Sequence, residues 1–228
     1  MALSPEVKAA LMKYATAHIG NEQWHVEFFS FIQDQKLAKR LGDEFISARM
    51  IYKILEGLEA EGWLHRAQIR LQILSYASIY EATLHYILFD LLSDKPEVLL
   101  LTEFPTKKLI SIPNEHLAVL AKYLEHDGRK IIPTYEAIGH NDESKVRFDR
   151  KADCARQLGF IEDWLRDELI EFYEARNAIH IHAEIRKSLE YQIDLSRRAY
   201  LRMQPFQEQV SAKLKTLGYC GARLSCCS

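Results

Sequence analysis

The stretch Leu74-Ser75-Tyr76-Ala77-Ser78-Ile79-Tyr80-Glu81-Ala82-Thr83-Leu84-His85 decides the fold class. It lies inside a longer pattern, Leu64 to Leu92, that contains neither glycine nor proline. Ile73, Ala77, Tyr80, Leu84, Ile87 and Leu91 recur every three or four positions and form one wholly apolar helical face. A second face runs Leu71, Leu74, Ser78, Glu81, His85, Leu88, Leu92, apolar but interrupted by three polar groups. A helix with two apolar faces must be surrounded by other helices, so a bundle built around this one is expected. Its end is marked by Ser93-Asp94-Lys95-Pro96.

On the N-terminal side, Ser4-Pro5-Glu6 has the form of a cap followed by proline at the first helical position, and helix formers continue to Ile19. Trp24, Phe28, Phe29 and Phe31 make a dense aromatic cluster expected on the core. Leu37, Leu41, Phe45, Ala48, Ile51, Tyr52, Leu55 and Leu58 repeat with helical spacing up to Gly57 or Gly62.

On the C-terminal side, Val98 to Leu101 reads equally as a helix turn or a short strand, and Asn114 to Glu125 reads as a helix. Asp127 to Lys145 is rich in turn residues and reads as a long excursion in which nothing demands a sheet. A short helix from Asp149 to Leu158 is followed by a strong one from Phe160 to about Glu184, with the stripe Ile161, Leu165, Leu169, Phe172, Arg176, Ile179, His180. A last helix, Asp194 to Leu217, should be kinked or split by Pro205. The reading is an all-α helical bundle. Residues 1–62 form an N-terminal helical extension packed on the core, 63–217 the main helical domain, and 218–228 a flexible tail containing cysteines.

The chain has 228 residues, 48% of them hydrophobic, which is too apolar for a disordered protein. With 30 basic and 32 acidic side chains, bulk electrostatics does not drive it onto nucleic acid, so any such contact must be local. No apolar run approaches the roughly 18 residues a membrane helix requires, nor does the N-terminus have a signal-peptide core. Cys154 stands alone, and Cys220, Cys226 and Cys227 crowd the tail without a paired spacing, so neither a disulfide framework nor a zinc site is expected. The expectation is a cytoplasmic protein with no membrane association. His140-Asn141-Asp142-Glu143 offers oxygen and nitrogen donors, but no matching ligands lie at a recognisable distance, so no metal or other cofactor is assigned.

The residue that asks for a function is Arg176, because a helix burying its apolar stripe has little reason to place an arginine on it. Four residues on, His180 lies about 40° away on the same helical face, within contact range. His182 joins them only if the helix bends or a partner chain approaches. Metal-free RNA cleavage needs a base for the 2′-hydroxyl proton, an acid for the leaving oxygen and positive charge on the phosphoryl oxygens. Histidine suits either proton transfer, arginine matches phosphate bidentately, and Asn177 can orient a phosphate or a water. Two such helices meeting across a two-fold axis would place a pair of sets in one cleft.

Arg176-Asn177 followed after four further residues by His182 resembles the arginine, polar residue, spacer, histidine motif of the HEPN superfamily. The helix bearing Glu81 is similar to the long helix that precedes the motif there. The resemblance covers Leu64 to Leu217. It implies an all-α bundle of HEPN type and a homodimeric, metal-independent endoribonuclease, a toxin or defence effector with an antitoxin or regulatory protein as a further partner. Arg176, His182 and His180 would be its catalytic residues, with Asn177 and Glu81 as binding or supporting residues and Arg197 and Arg198 as candidate phosphate contacts. Members modified on a tyrosine carry it two residues after the histidine; Glu184 stands there, so that modification does not carry over.

Each of these residues also has a plain structural reading. Arg176 can simply pair with Glu81 or Glu174, Glu81 and His85 can be an ordinary pair on one helix face, and Arg197 and Arg198 can belong to a solvated face. The competing function is a non-catalytic helical module that binds a nucleotide, RNA or a protein partner, and a third is a purely structural dimerisation domain.

Overall fold

Ser4 opens the first helix as the pattern requires. In the computed structural model, which describes residues 2–123, 128–129, 132–178 and 193–219, its hydroxyl accepts from the backbone N–H of Val7 at 3.4 Å, with Pro5 at the first helical position. This helix, α1 (Pro5–Ala17), is followed by α2 (Glu22–Phe28), capped by Asn21 Oδ1 on the N–H of Trp24. Then comes α3 (Gln35–Gly57), capped by the Asp34 carboxylate on the N–H groups of Lys36 and Leu37. Each cap satisfies a donor that the helix itself cannot.

The chain divides into two compact units, one formed by Met1–Leu91 together with Phe148–Ser228 and the other by Leu92–Arg147. The first unit is helical among its described residues. Its axis is α4 (Gly62–His85), which packs against α3, α7 (Phe148–Gln157), α8 (Asp163–Asn177) and α9 (Ile193–Leu201). The predicted apolar face is the buried one: Ile73, Ala77, Tyr80 and Leu84 are at most 1% exposed. Burying each large side chain contributes about 1.5–3 kcal/mol. Tyr80 adds a hydrogen bond from its hydroxyl to the Ala199 carbonyl at 2.7 Å and packs its ring between Phe172 and Phe206.

The aromatic cluster of the N-terminal region is part of the same core, not a separate layer. Phe45 is ringed by Trp24, Phe28, Phe29, Tyr76 and Tyr200 at centroid distances of 5.2–6.2 Å. Gly57 ends α3 where a Cβ would lie 2.8 Å from the ring of Tyr14, so the close approach of α1 to the end of α3 needs a residue without a side chain.

Two local expectations are revised and a third is met. The helix predicted to run unbroken to Leu92 is α-helical to His85 and becomes a π-helix over Tyr86–Leu91. Hydrophobic spacing cannot announce that change, because Tyr86, Ile87, Leu88 and Phe89 are all buried. The helix expected to reach Glu184 has its described part end at Asn177, with Ala178 as its C-cap. The last helix is split as predicted: α9 ends at Leu201 and α10 (Met203–Thr216) begins two residues before Pro205. There the missing N–H of the proline costs no intrahelical bond.

The second unit carries the one departure from an all-helical reading. It holds α5 (Pro96–Thr102), β1 (Glu103–Leu109), α6 (Asn114–Tyr123) and β2 (Thr134–His140), the strands pairing antiparallel from Glu103 with His140 to Leu109 with Thr134. Phe104 lies opposite Gly139, where a Cβ would approach its ring to 2.6 Å. The hairpin escaped the sequence reading because neither strand has a buried residue, so no alternation marks it. Pro105 is tolerated since each strand of a two-stranded sheet is an edge. The fold is therefore mostly helical with one two-stranded sheet.

Candidate functional site

Arg176 occupies the last turn of α8, where a cation is favoured by the helix dipole. The residues before it, Leu165, Leu169 and Phe172, are at most 1% exposed, and they fix the rotation of the helix. That rotation leaves the arginine side chain at the margin of the core, 30% exposed, facing Glu81 of α4.

The guanidinium is held from three directions. Its Nη1 donates to the Tyr173 hydroxyl at 3.1 Å and to Asn177 Oδ1 at 3.3 Å, and lies 3.6 Å from Glu81 Oε2. The guanidinium carbon sits 5.0 Å from the centre of the Tyr173 ring, a cation–π distance. Tyr173 in turn donates its hydroxyl to Glu81 Oε1 at 3.1 Å and stacks on Phe148 of α7 at 4.3 Å and 15°. Burial pushes the Tyr173 hydroxyl above its ordinary pKa, the Glu81 carboxylate adds to this and Arg176 opposes it, so it stays a donor at neutral pH.

Lys151 of α7 completes the cluster, and the sequence reading missed it. Its side chain is 3% exposed, with Nζ 3.9 Å from Glu81 Oε1 and 3.3 Å from His85 Nδ1, and near the face of Phe89 at 5.9 Å. An ammonium can only donate, so in this contact His85 Nδ1 is the acceptor. Glu81 and His85, four residues apart on α4, thus both meet Lys151. The signal lay in α7, where Phe148, Ala152 and Ala155 bury the face that also bears Lys151. A lone lysine in a polar helix ordinarily reads as surface.

Glu81 therefore stands between two cations, Arg176 on one side and Lys151 on the other, and these three groups carry a net positive charge. Such a site stabilises an anion more than a cation, and Arg176 is the cation of the pair that reaches solvent.

The other candidates do not gather around Arg176 as a group. Asn177 is the last residue of α8 and touches Arg176. His180 and His182 lie outside the described residues. Arg198 is tied to three carboxylates, bidentate to Glu171 at 2.8 Å and also bonded to Glu168 and Asp194; Glu171 first, with Glu168, holds its pKa above the ordinary arginine value. With Arg202, which donates to Glu168, it fastens α9 to α8. Arg197, its neighbour, points to a different face and lines a cavity between α3, α4 and α9.

Comparison of the chain with protein-family models, with curated proteins and with solved structures finds no match. Among the described residues no helix is long and apolar enough to cross a membrane.

Proposed function

We propose that the protein is a metal-independent endoribonuclease of HEPN type that works as a homodimer in the cytoplasm, as a toxin or defence effector restrained by an antitoxin or regulatory protein. The observation that carries this reading is the arginine at the end of α8. Tyr173 and Glu81 hold its guanidinium at the core margin with Lys151 adding positive charge behind it, directly before the segment that contains His180 and His182.

In this mechanism a histidine, His182 first and His180 second, takes the proton of a 2′-hydroxyl. The freed oxygen attacks the adjacent phosphorus and the bond to the 5′-oxygen breaks. A second histidine, from the partner chain or from the same segment, protonates the departing oxygen, leaving a cyclic phosphate and a 5′-hydroxyl. Arg176 donates to the phosphoryl oxygens as their charge grows, and Asn177 orients the phosphate. Glu81 is a positioning residue, setting the direction of the guanidinium. Arg198 is already neutralised by its carboxylates, so phosphate contact rests on Arg176.

The test is incubation of the purified protein with mixed RNA in EDTA. Cleavage by the wild type, reduced at least about 100-fold in Arg176→Ala and in His182→Ala, is the expected result. Absence of cleavage by the wild type, or cleavage by both variants equal to that of the wild type, refutes the proposal.

A second reading is favoured by a specific observation. Arg176 already has an internal carboxylate in Glu81 and an internal acceptor in Tyr173, which is all a non-catalytic arginine needs. On this reading the domain binds a nucleotide, RNA or a protein without turnover. Saturable RNA binding with no cleavage under the same conditions distinguishes it.

A further inference from the structure

The most built feature of the first unit outside the Arg176 cluster is a cavity of about 300 Å³. The end of α1 (His18), α3 (Arg49, Tyr52, Lys53, Glu56), α4 (Gln72, Tyr76) and α9 (Ser196, Arg197, Tyr200) enclose it. That volume is at the lower end of what small-molecule sites occupy. None of its lining residues takes part in the cluster around Arg176 and Glu81.

Its polar groups are set up for a ligand the protein does not supply. Tyr76 is 1% exposed as a residue and lines the cavity, and among the described residues its hydroxyl makes no hydrogen bond. Tyr200, Arg49 and Tyr52 line the same cavity as Tyr76.

The cationic side is equally uncompensated. Arg49 donates to His25 Nε2 at 3.0 Å and faces the rings of Trp24, Phe45 and Tyr200, but among the described residues no carboxylate pairs with it. His25 does not offset its charge, because the imidazole is fully buried, donates Nδ1–H to the Asn21 carbonyl and is kept neutral chiefly by burial. Arg197 is exposed at the rim and has no ion pair or hydrogen bond among the described residues. Only Lys53 is matched, by Glu56, which also accepts from Tyr14. The lining cations thus exceed the one lining carboxylate by two.

From these features we infer that the cavity binds a small phosphate monoester carrying a planar ring, of which a nucleoside monophosphate is the type. A phosphate monoester carries about 1.5–2 negative charges at neutral pH, which matches the excess, and arginine holds it through paired N–H donors. Tyr200, half-buried at the cavity wall, offers aromatic surface for the ring. The Tyr76 hydroxyl and Gln72 supply the polar groups that fix its orientation. This inference does not depend on the RNA-cleavage reading.

The experiment is calorimetric titration of the full-length protein with the four ribonucleoside 5′-monophosphates, and with adenosine, ribose 5-phosphate and inorganic phosphate as controls. Saturable binding is expected for at least one nucleotide, with every control at least about tenfold weaker, since each lacks the ring or the phosphate. Arg197→Gln and Tyr76→Phe should each weaken that binding about tenfold, the size of a lost charge-assisted or buried hydrogen bond. Both should melt within a few degrees of the wild type, because one side chain is exposed and the other keeps its ring. Arg176→Ala should leave the nucleotide affinity in place. Failure of all four nucleotides to bind overturns the inference. So does inorganic phosphate binding as tightly as any nucleotide, or affinity that is unchanged in both cavity variants. RNA cleavage without nucleotide binding would overturn this inference while leaving the endonuclease proposal standing.

Discussion

Replacing Glu81 by glutamine tests the central arrangement in the most direct way, because one carboxylate serves three neighbours. Tyr173 Oη lies at 3.1 Å, Arg176 at 3.6 Å and Lys151 at 3.9 Å. Glutamine keeps an oxygen for the tyrosine and loses the charge for both cations. The Arg176 pair is roughly three-tenths exposed on each side and contributes about 0.5–1 kcal/mol. Lys151 is almost fully buried, so removing the Glu81 carboxylate beside it costs more, about 1–2 kcal/mol, moderated by its other contacts, His85 among them. The sum, about 2 kcal/mol, corresponds to a fall in Tm of about 4–8 °C for a chain of this size. Thermal unfolding followed by circular dichroism measures it. Lys151→Met in the Glu81→Gln background should cost about 1 kcal/mol less than in the wild type, since its attraction to the Glu81 carboxylate is already gone. If the two substitutions are additive within about 0.5 kcal/mol, the carboxylate does not stabilise Lys151 and the charge reasoning fails. RNA cleavage by folded Glu81→Gln should drop about tenfold, and unchanged activity would remove Glu81 as a positioning residue.

Further expectations concern the core, the α8–α9 contact and the site. Tyr80→Phe leaves the Ala199 carbonyl without its buried donor and should cost about 1–2 kcal/mol in denaturant unfolding, with no change in the slope. Burial alone would raise the Glu168 carboxyl, but hydrogen bonds and charge from Arg202 and Arg198 outweigh it and leave its pKa below the ordinary 4.5. Its contribution to stability is therefore complete above that value and is lost as pH falls through the lower folded value; Glu168→Gln should flatten that acid limb of the stability profile. Gly57→Ala must displace the Tyr14 ring, whose hydroxyl is bonded to Glu56, and should lower stability by about 1 kcal/mol in the same unfolding assay. Tyr173→Phe removes the hydroxyl linking Arg176 to Glu81 and should reduce RNA cleavage severalfold while preserving the stack on Phe148, which thermal unfolding will verify.

The central helix was readable because its apolar residues repeat every three or four positions and nothing else in the chain explains that spacing. The start at Ser4-Pro5 and the break near Pro205 were readable because caps and prolines act through the backbone, whatever the surrounding fold. The hairpin was not, since its strands are exposed on both faces and their pairing joins residues some thirty positions apart. At the site, the possible partnership of Arg176 with Glu81 could be raised from helix faces, and the two do approach. Lys151 could not, because what makes it unusual is its burial, and burial belongs to the packing of α7 on α4 and not to any local pattern.

The π-helical turn at Tyr86–Leu91 has an evolutionary side. A π turn fits one more residue into a helix than α winding would, and such turns are commonly the mark left by a single-residue insertion. Here it falls directly after His85 and contains Phe89, whose ring touches both that histidine and the Lys151 ammonium. Winding the same six residues as an ordinary α-helix would instead turn the side chains that follow by about 100°. Phe89 would leave Lys151, and the Leu91 carbonyl would leave the Tyr219 hydroxyl that it accepts from. The wide turn is therefore what lets six residues cover the arc that five would cover in an α-helix while keeping Phe89 on Lys151 and the Leu91 carbonyl on Tyr219.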